Sequence, residues 1–278
     1  MLTHSFVHIP GVGLQTERRF WESGLRSMHD FLHYPPDFLS LSRQQNISVQ
    51  IRHALQKLAD RDAGYFSRCL PSNEQWRIFR EYRNSTAYID IETTGLGNQD
   101  DIITTIALYN GKEIKYYVYG QNLYQFIIDI QDYDVVVTYN GKTFDIPFIE
   151  RFFDTKISIA HLDLRYILKS LGYTGGLKSC EKQFELDRQG CLDGVDGYFA
   201  VLLWFEYQCT GDYSYLNTLL AYNIQDVISL EHLMVQAYNK KIEYLPLDIE
   251  PVQVSSPPLN PCEADVATIR AIQNKYLT

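Results

Sequence analysis

Two carboxylates placed two residues apart are the first chemical pattern in this sequence. Asp90 and Glu92 lie in the segment YIDIE, where a β-strand would point both acidic side chains to one face and both isoleucines to the other. Paired carboxylates on one face are costly unless water or a cation covers them. Because Mg²⁺ and Mn²⁺ prefer hard oxygen ligands, the pattern predicts a strand that holds a divalent cation.

Two further segments carry candidate partners for this pair. After a buried strand and a glycine turn, Asp145 stands at the start of a predicted helix, where an aspartate by itself is most often an N-cap. Tyr222 and Asp226 are four residues apart, so a helix would place them on one face. By itself that pair also fits a core-edge tyrosine and a surface aspartate. The coincidence of all three segments indicates one site.

In their order along the chain, the three segments resemble a known family. DIETTGL, YNGKTFD and YNIQD are similar to the three exonuclease motifs of the DEDD superfamily. The tyrosine four residues before the last aspartate resembles the tyrosine subtype, since the position used by the histidine subtype is Ala221 here. Within the superfamily the chain most resembles the YprB-like ribonuclease H-like proteins, through GGLKSCEKQFEL, AVLLW and YNIQDVISLEHL. The resemblance covers roughly residues 86–238.

The resemblance implies a two-metal 3′-5′ exonuclease acting on single-stranded nucleic acid, with two Mg²⁺ or Mn²⁺ ions as cofactors. DNA is expected to be slightly preferred to RNA because residues 8–20 resemble a helix-hairpin-helix element. The family resemblance also implies that Asp90 bridges both ions and that Glu92 and Asp226 complete the coordination shells of the individual ions. Asp145 would act on the second ion partly through water. Tyr222 would orient the attacking water, since a phenol with a pKa of about 10 positions better than it deprotonates.

The same resemblance names further substrate contacts. The terminal nucleotide is expected to touch Thr94 and Leu96, and the strand backbone Asn140 and Lys178. His161 and Asp163 suggest a second metal pair, but a packed histidine beside a capping aspartate is the more common arrangement on a strand. Two other functions stay open: a structure-specific or RNA-trimming nuclease, and a non-catalytic binding module on the same scaffold.

The elements that must position these residues follow a recognisable order. Residues 87–91, 102–109 and 113–119 are rich in β-branched and aromatic residues, and Asn110-Gly111 predicts a hairpin between the last two. A helix, a strand over 134–139, a helix and a strand over 157–164 follow, and then further helices. This order predicts an α/β ribonuclease H-like fold, with a mixed five-stranded sheet flanked by helices, over residues 86–241. Residues 242–278 are predicted to be a Pro-rich linker or extended wrap and a closing helix.

The first 85 residues are predicted to form a small helical module. Residues 21–32 and 49–59 show helical spacing of apolar residues on either side of Pro35-Pro36. Residues 8–20 resemble a helix-hairpin-helix element, in which Gly11 and Gly13 would expose backbone N–H groups to a phosphate. Arg18 and Arg19 would lie nearby. The alternative is a glycine-broken connection between two structural helices.

Bulk properties narrow the class of protein. A net charge of −9 argues against one broad basic face, although residues 1–85 carry +3 and the remainder −12. Five cysteines without a CxxC pair favour free thiols in a reducing compartment. Apolar runs are too short to span a bilayer, and the first residues do not resemble a secretory signal, so we expect a cytoplasmic protein. The resemblance to exonucleases implies a role in DNA repair. The sequence does not identify a protein partner.

Overall fold

A computed structural model describes residues 1–186 and 197–276 of the chain. Its central sheet has the strand order β3-β2-β1-β4-β5. The strands are β1 Thr86–Thr93, β2 Ile103–Tyr109, β3 Ile114–Val118, β4 Val135–Thr138 and β5 Ala160–Asp163. β1, β2 and β3 pair antiparallel, whereas β4 pairs in parallel with β1 and β5. The predicted mixed five-stranded sheet is therefore confirmed.

The turn between β2 and β3 forms at the predicted Asn110-Gly111. Gly111 has a φ of 87°, a left-handed conformation that glycine adopts at little cost. The Asn110 side chain accepts backbone N–H groups from Lys112 at 3.0 Å and from Glu113 at 2.9 Å. These bonds fix the register of the hairpin, and with it the outer edge of the sheet.

Helices cover both faces of the sheet. After β3 the described helices are α6 Gln125–Asp129, α7 Asp145–Phe152, α8 Leu164–Lys169, α9 Leu177–Gln183, α10 Gly197–Thr210, α11 Tyr213–Glu243 and α12 Val266–Tyr276. Alternate residues of β1 enter two different cores: Tyr88 packs on the α11 side, and Ile89 and Ile91 on the side that includes Phe126 and Phe148. The acidic residues at alternate positions of β1 therefore share the side of the sheet that α11 covers.

The front of the chain is helical, as predicted, but more broken than its pattern suggested. Its helices are α1 Leu14–Glu22, α2 Met28–His33, α3 Leu41–Ala59, α4 Ala63–Cys69 and α5 Phe79–Tyr82. Residues 21–32 do not form one helix, because Gly24 turns with a φ of 91° and Ser27 begins a new capping box with Asp30.

Turns of 3-10 helix occupy Leu2–His4, Ser72–Ile78, Arg83–Ser85 and Ile130–Asp132. The front of the chain shares a single continuous hydrophobic core with the α11 side of the sheet. The division of the chain at residues 85 and 241 stays a prediction.

The Pro-rich segment is the extended wrap that the sequence allowed. The Asn239 side chain on α11 donates to the Val252 carbonyl at 2.9 Å and accepts its N–H at 2.8 Å. Further along, Asn260 donates to the Ala221 carbonyl at 3.1 Å. The segment therefore runs along α11 toward the helical turn of α11 that contains Tyr222.

The structure bears on two expectations from the sequence, the absence of membrane-spanning helices and the presence of free cysteines. Within the described residues, no helix combines the length and the apolar character that crossing a bilayer requires. The four cysteines in this part of the chain are free thiols, namely Cys69, Cys180, Cys209 and Cys262. Cys191 lies outside the described residues.

Candidate metal centre

The candidate metal centre forms where β1 meets α11. One carboxylate oxygen from each of Asp90, Glu92 and Asp226 lies within 4.8 Å of the other two. The two β1 residues alternate with Ile91, which packs on the opposite side of the sheet. Tyr222 precedes Asp226 by one helical turn and lines the same cavity. The three oxygens thus form a compact set of hard donors suited to a divalent cation.

Asp145 reaches the same place from the neighbouring parallel strand. Tyr88 of β1 lies opposite Val137 of β4, so the chain leaving β4 passes the end of β1 that carries the carboxylates. Helix α7 begins at Asp145, but its N-cap is Phe144 and no side-chain capping bond forms there. The common capping role is therefore not the role of Asp145. It lines the shared cavity without joining the close group of three.

Burial and mutual repulsion dominate the electrostatics of the centre. Burial raises the pKa of Asp90 and of Glu92 well above the usual carboxyl range. The charge of Asp226 raises both pKa values further, and so does that of Asp145. Burial likewise raises the pKa of Asp145 to about 7. Without cations, these groups cannot all be ionised cheaply, and a bound cation would remove the repulsion.

A buried amide that the sequence interpretation missed holds the first carboxylate. Asn223 Nδ2 donates to Asp90 Oδ2 at 2.7 Å, and Asn223 Oδ1 accepts from Thr105 Oγ1 at 3.1 Å. Asn223 is fully buried between α11 and the sheet. The only hint of this role in the sequence was that Asn223 lies inside YNIQD, and no spacing rule distinguishes it from its neighbours there. It positions Asp90 and does not itself face the cavity.

A cavity of about 560 Å³ opens beside the carboxylates. It brings together the five predicted catalytic residues and three of the predicted substrate contacts. These are Asp90, Glu92, Asp145, Tyr222 and Asp226 with Thr94, Leu96 and Asn140.

Lys178 takes a position closer to the metal centre than expected. Its Nζ lies 5.0 Å from the centroid of the Tyr222 ring, and its charge lowers the pKa of Glu92. Leu177, the residue before Lys178 at the start of α9, lines the cavity beside the carboxylates. Lys178 therefore faces the acidic centre.

The loop after β1 is shaped by a close backbone approach. A Cβ on Gly95 would lie 2.4 Å from Asp101 Oδ1, so any other residue there would displace the carboxylate. That carboxylate accepts N–H groups from Gly97 at 2.9 Å and Asn98 at 2.6 Å. Asp101 was not foreseen from the sequence. It holds the loop that carries Leu96 over the cavity.

Two apolar or aromatic side chains project at the rim of the cavity. Leu96 is 91% exposed, and Tyr198 of α10 is 61% exposed. Both line the cavity and are open to solvent there. Tyr198 was missed because it precedes the apolar run of α10, which by itself predicts only a buried helix.

Asn140 adopts a left-handed backbone conformation with a φ of 67°, which asparagine tolerates better than most residues. Its Oδ1 accepts from Thr143 Oγ1 at 2.9 Å and from the Arg165 guanidinium. The predicted substrate contact therefore lies on the wall of the cavity, tied to a cation on α8.

His161 and Asp163 do not form a metal pair. The His161 ring lies 2.8 Å from Thr138 Oγ1, and burial lowers its pKa to about 3. Asp163 caps α8 by accepting the Arg165 N–H at 3.0 Å. This is the packed histidine with a capping aspartate that the sequence also allowed.

The glycine turn at the front is present, but only one of the two expected helices accompanies it. Gly11 has a φ of 80° and Gly13 is the N-cap of α1, whereas only the 3-10 turn Leu2–His4 precedes them in the described structure. Arg18 pairs with Glu22 at 3.2 Å on the surface. The Arg19 guanidinium lies 3.8 Å from the centroid of the Phe38 ring. The turn lies outside the catalytic cavity.

A family model and a solved structure are similar to this chain. The family model described as the RNase_H superfamily matches residues 87–238, which include all five predicted catalytic residues. No curated protein sequence matches the chain. One matching solved structure is the family B DNA polymerase from the hyperthermophilic archaeon Pyrobaculum calidifontis, at 18% identity and a TM-score of 0.43. That match covers 57% of this chain and 24% of the polymerase chain.

Proposed function

This chain belongs to the RNase H superfamily, and from that premise we propose that it hydrolyses phosphodiester bonds of nucleic acid with the help of divalent cations. One observation carries the proposal. The oxygens of Asp90, Glu92 and Asp226 lie within 4.8 Å of one another, in a cavity that also holds Asp145 and Tyr222. A set of four carboxylates and a phenol in one cavity matches the needs of phosphoryl chemistry better than those of a structural site.

The residues present fit Mg²⁺ or Mn²⁺. Every candidate ligand is a carboxylate oxygen, the donor that these ions prefer, and neither histidine nor cysteine joins the close group of described residues. Asp90, Glu92 and Asp226 would hold the ions, with Asp145 adding to the second site. When bound, such ions neutralise the phosphoryl oxygens and help to ionise a water molecule.

The chain itself supplies positioning. Asn223 fixes the rotation of the Asp90 carboxylate through its 2.7 Å hydrogen bond, and so fixes the oxygens offered to the cations. Tyr222 places its hydroxyl in the same cavity as Asp226, where it can orient a water toward the phosphorus. Leu96 and Tyr198 at the rim would hold the base of the terminal nucleotide, and Lys178 a phosphate.

We propose more finely a 3′-5′ exonuclease of the tyrosine subtype, YprB-like, acting on single-stranded nucleic acid with DNA slightly preferred. The motif order and Tyr222 support the subtype, and the open rim beside Leu96 supports a strand end as substrate. A cytoplasmic role in DNA repair completes the proposal, and the free thiols are consistent with a reducing compartment.

The deciding assay uses end-labelled oligonucleotides. Single-stranded DNA, duplex DNA and RNA are incubated with Mg²⁺, Mn²⁺ or a chelator. We expect a ladder of products shortened one nucleotide at a time from the 3′ end, and only when a cation is present. A 3′-phosphorylated oligonucleotide that resists degradation would support the polarity. Absence of cation-stimulated hydrolysis on every substrate would favour a non-catalytic binding module.

Tyr222→Phe is expected to reduce kcat by about 10- to 100-fold with little change in substrate affinity, because it removes a hydroxyl that orients water and keeps the ring. The measurement is single-turnover hydrolysis together with oligonucleotide binding. Tyr244→Phe serves as the matched control, since it removes an exposed phenol at the C-terminal end of α11, outside the cavity. Equal rates for Tyr222→Phe and the unaltered protein would remove Tyr222 from the mechanism.

Arg18→Glu combined with Arg19→Glu is expected to weaken single-stranded DNA binding and to flatten its salt dependence, if the glycine turn holds a phosphate. Both arginines follow Gly13 on α1, and Arg18 is exposed. Fluorescence anisotropy at several salt concentrations measures both quantities. Unchanged affinity and slope would identify the turn as a purely structural connection.

A further inference from the structure

The cavity beside Asp90, Glu92 and Asp226, the proposed catalytic cavity, adjoins a second cavity of about 620 Å³. The two share Tyr139, Asn140 and Leu177 on their walls. The second cavity extends from this shared wall along α8, past Arg165 and Lys169, to the loop at Tyr173. A chain that leaves the catalytic cavity at Asn140 therefore meets a recessed path and not a flat surface.

A third cavity, of about 520 Å³, continues the path. It shares Lys169 with the second cavity and is lined by Lys142 and Tyr166. Its far wall is the 3-10 turn Ser72–Ile78, where Gln75 Oε1 accepts from Lys142 Nζ at 2.9 Å. The path thus runs from the sheet domain to the helical front of the chain.

The sign of the charge changes along this path. The catalytic cavity is lined by four carboxylates, whereas the second cavity is lined by Arg165 and Lys169 and by no carboxylate among the described residues. The third has Lys142, Lys169 and one acidic residue, Asp163. The Asp163 carboxylate accepts backbone N–H groups from Asn140 at 2.8 Å and Lys142 at 3.0 Å, as well as its capping bond. The negative charge of Asp163 is therefore largely compensated by backbone N–H groups.

Aromatic rings alternate with these cations. Tyr166 is 45% exposed and lies one residue after Arg165, while Tyr173 lines the second cavity beside Lys169. Cationic groups that track phosphates, interleaved with rings on which bases stack, are the usual composition of a single-strand binding groove. A chain with a net charge of −9 has no general reason to concentrate cations here.

We propose that these two cavities form an upstream groove, lined by Lys142, Arg165, Tyr166, Lys169 and Tyr173, that binds the single strand behind the nucleotide being hydrolysed. The inference rests on the proposed function and adds to it a binding site that extends several nucleotides from the metal centre. Asn140 lies at the junction, since it lines the catalytic cavity and bonds to Arg165. A phosphate bound by Arg165 would therefore lie at a fixed position relative to the wall of the catalytic cavity.

The test measures binding and turnover separately. Arg165→Glu combined with Lys169→Glu reverses two exposed charges, so the fold is expected to survive. Lys112→Glu combined with Arg270→Glu is the matched control, because it reverses two exposed charges outside the three cavities. Binding is followed by anisotropy with labelled oligonucleotides of about 4, 8 and 12 nucleotides in chelator, a range that brackets typical single-strand site sizes.

We expect the groove variant to bind the longest oligonucleotide at least about tenfold more weakly, with the slope of log Kd against log salt reduced by about 1.4, or 0.7 for each lost phosphate contact. The control pair should match the unaltered protein. Affinity of the unaltered protein that does not rise with length, or a groove variant with unchanged affinity and slope, would overturn the proposal and point to another occupant, such as a protein partner.

A minimal substrate separates the groove from the metal centre. The p-nitrophenyl ester of thymidine 5′-monophosphate occupies only the catalytic cavity. Lys169→Glu alone keeps the bond between Arg165 and Asn140, so this variant should hydrolyse the ester at the unaltered rate while its KM for the long strand rises. Equal loss on both substrates would mean damage to the centre and would contradict the groove. If the unaltered protein hydrolyses neither substrate, the proposed function fails, and the binding series still decides the groove.

Discussion

Asp90→Asn is expected to reduce cation-dependent phosphodiester hydrolysis by at least about a thousandfold, which corresponds to the several kcal/mol that metal-ion catalysis contributes. One oxygen of Asp90 lies within 4.8 Å of an oxygen of Glu92 and of one of Asp226, and Asp90 is the member of the group whose carboxylate is held by Asn223. An amide at this position carries no charge and holds a divalent cation poorly.

The fold is expected to survive this change. The new amide oxygen can still accept the Asn223 hydrogen bond, and the neutral side chain no longer meets the repulsion of Asp226, Asp145 and Glu92 that raises the pKa of Asp90. In chelator, the variant should therefore unfold at the same temperature as the unaltered protein or at a higher one. Addition of Mn²⁺ should raise the unfolding temperature of the unaltered protein and raise that of the variant much less.

Asp132→Asn is the matched control, because it neutralises an exposed carboxylate on the 3-10 turn after α6 and should change neither activity nor the response to Mn²⁺. Thermal unfolding with and without Mn²⁺ gives a readout that does not depend on turnover. Full nuclease activity in purified Asp90→Asn would refute the proposed centre, whatever its unfolding temperature.

The second large effect concerns stability. Arg77→Met is expected to destabilise the protein by about 3–5 kcal/mol, the usual result of removing one partner from a buried ion pair. Arg77 Nη1 donates to both oxygens of Glu17, at 2.8 and 2.9 Å, and Arg77 also pairs with Glu74 at 2.7 Å. The side chains of Arg77 and Glu17 are 1% and 0% exposed. Methionine would fill the space but leave two carboxylates without their cation.

The loss would reach the first residues of the chain. The Glu17 carboxylate accepts the N–H groups of Phe6 at 2.6 Å and Val7 at 3.3 Å, so it anchors the segment before the glycine turn. Burial raises the pKa of Glu17, and the charge of Arg77 opposes that rise. Without Arg77 the burial cost stands unopposed, and we expect the thermal midpoint to fall by about 10 °C.

Arg18→Met is the control for the buried pair. Its arginine pairs with Glu22 on the surface, where the two side chains are 73% and 61% exposed, and such pairs contribute at most about 1 kcal/mol. Urea unfolding of both variants compares the two environments directly. A destabilisation of Arg77→Met no larger than that of Arg18→Met would show that the interior readily solvates the two carboxylates.

The sequence predicted the elements well where a local rule applies. Alternation fixes which face of β1 is acidic, and the Asn110-Gly111 turn fixes the β2–β3 register, because both depend on residues close together in the chain. It did less well at residues 21–32, where a helical spacing continued through Gly24 although the backbone turns there. Periodicity reports which side chains are buried and does not require the helix to be continuous.

Residues that act through others were the ones missed. Asn223 binds Asp90 across 133 positions of the chain, and its amide has no spacing that distinguishes it from a surface asparagine. Asp101 acts through the loop that it holds. Tyr198 is the exception, since it lines the cavity directly and its place there depends on how α10 packs. Lys178 was found from the family resemblance, but its contact with the Tyr222 ring required the position of α9.

The sequence by itself determined which side chains are candidates for the chemistry, because residue type and short-range spacing pair Asp90 with Glu92 on a strand and Tyr222 with Asp226 on a helix. Only the tertiary structure decided that Asp90, Glu92 and Asp226 converge while Asp145 stays beside them, since the parallel register of β1 with β4 and the path of α11 set those distances. The upstream groove also belongs to the tertiary structure. Arg165 and Lys169 share α8, but Lys142 and Tyr173 come from other segments, and no local pattern can state which surfaces the packing of helices leaves open.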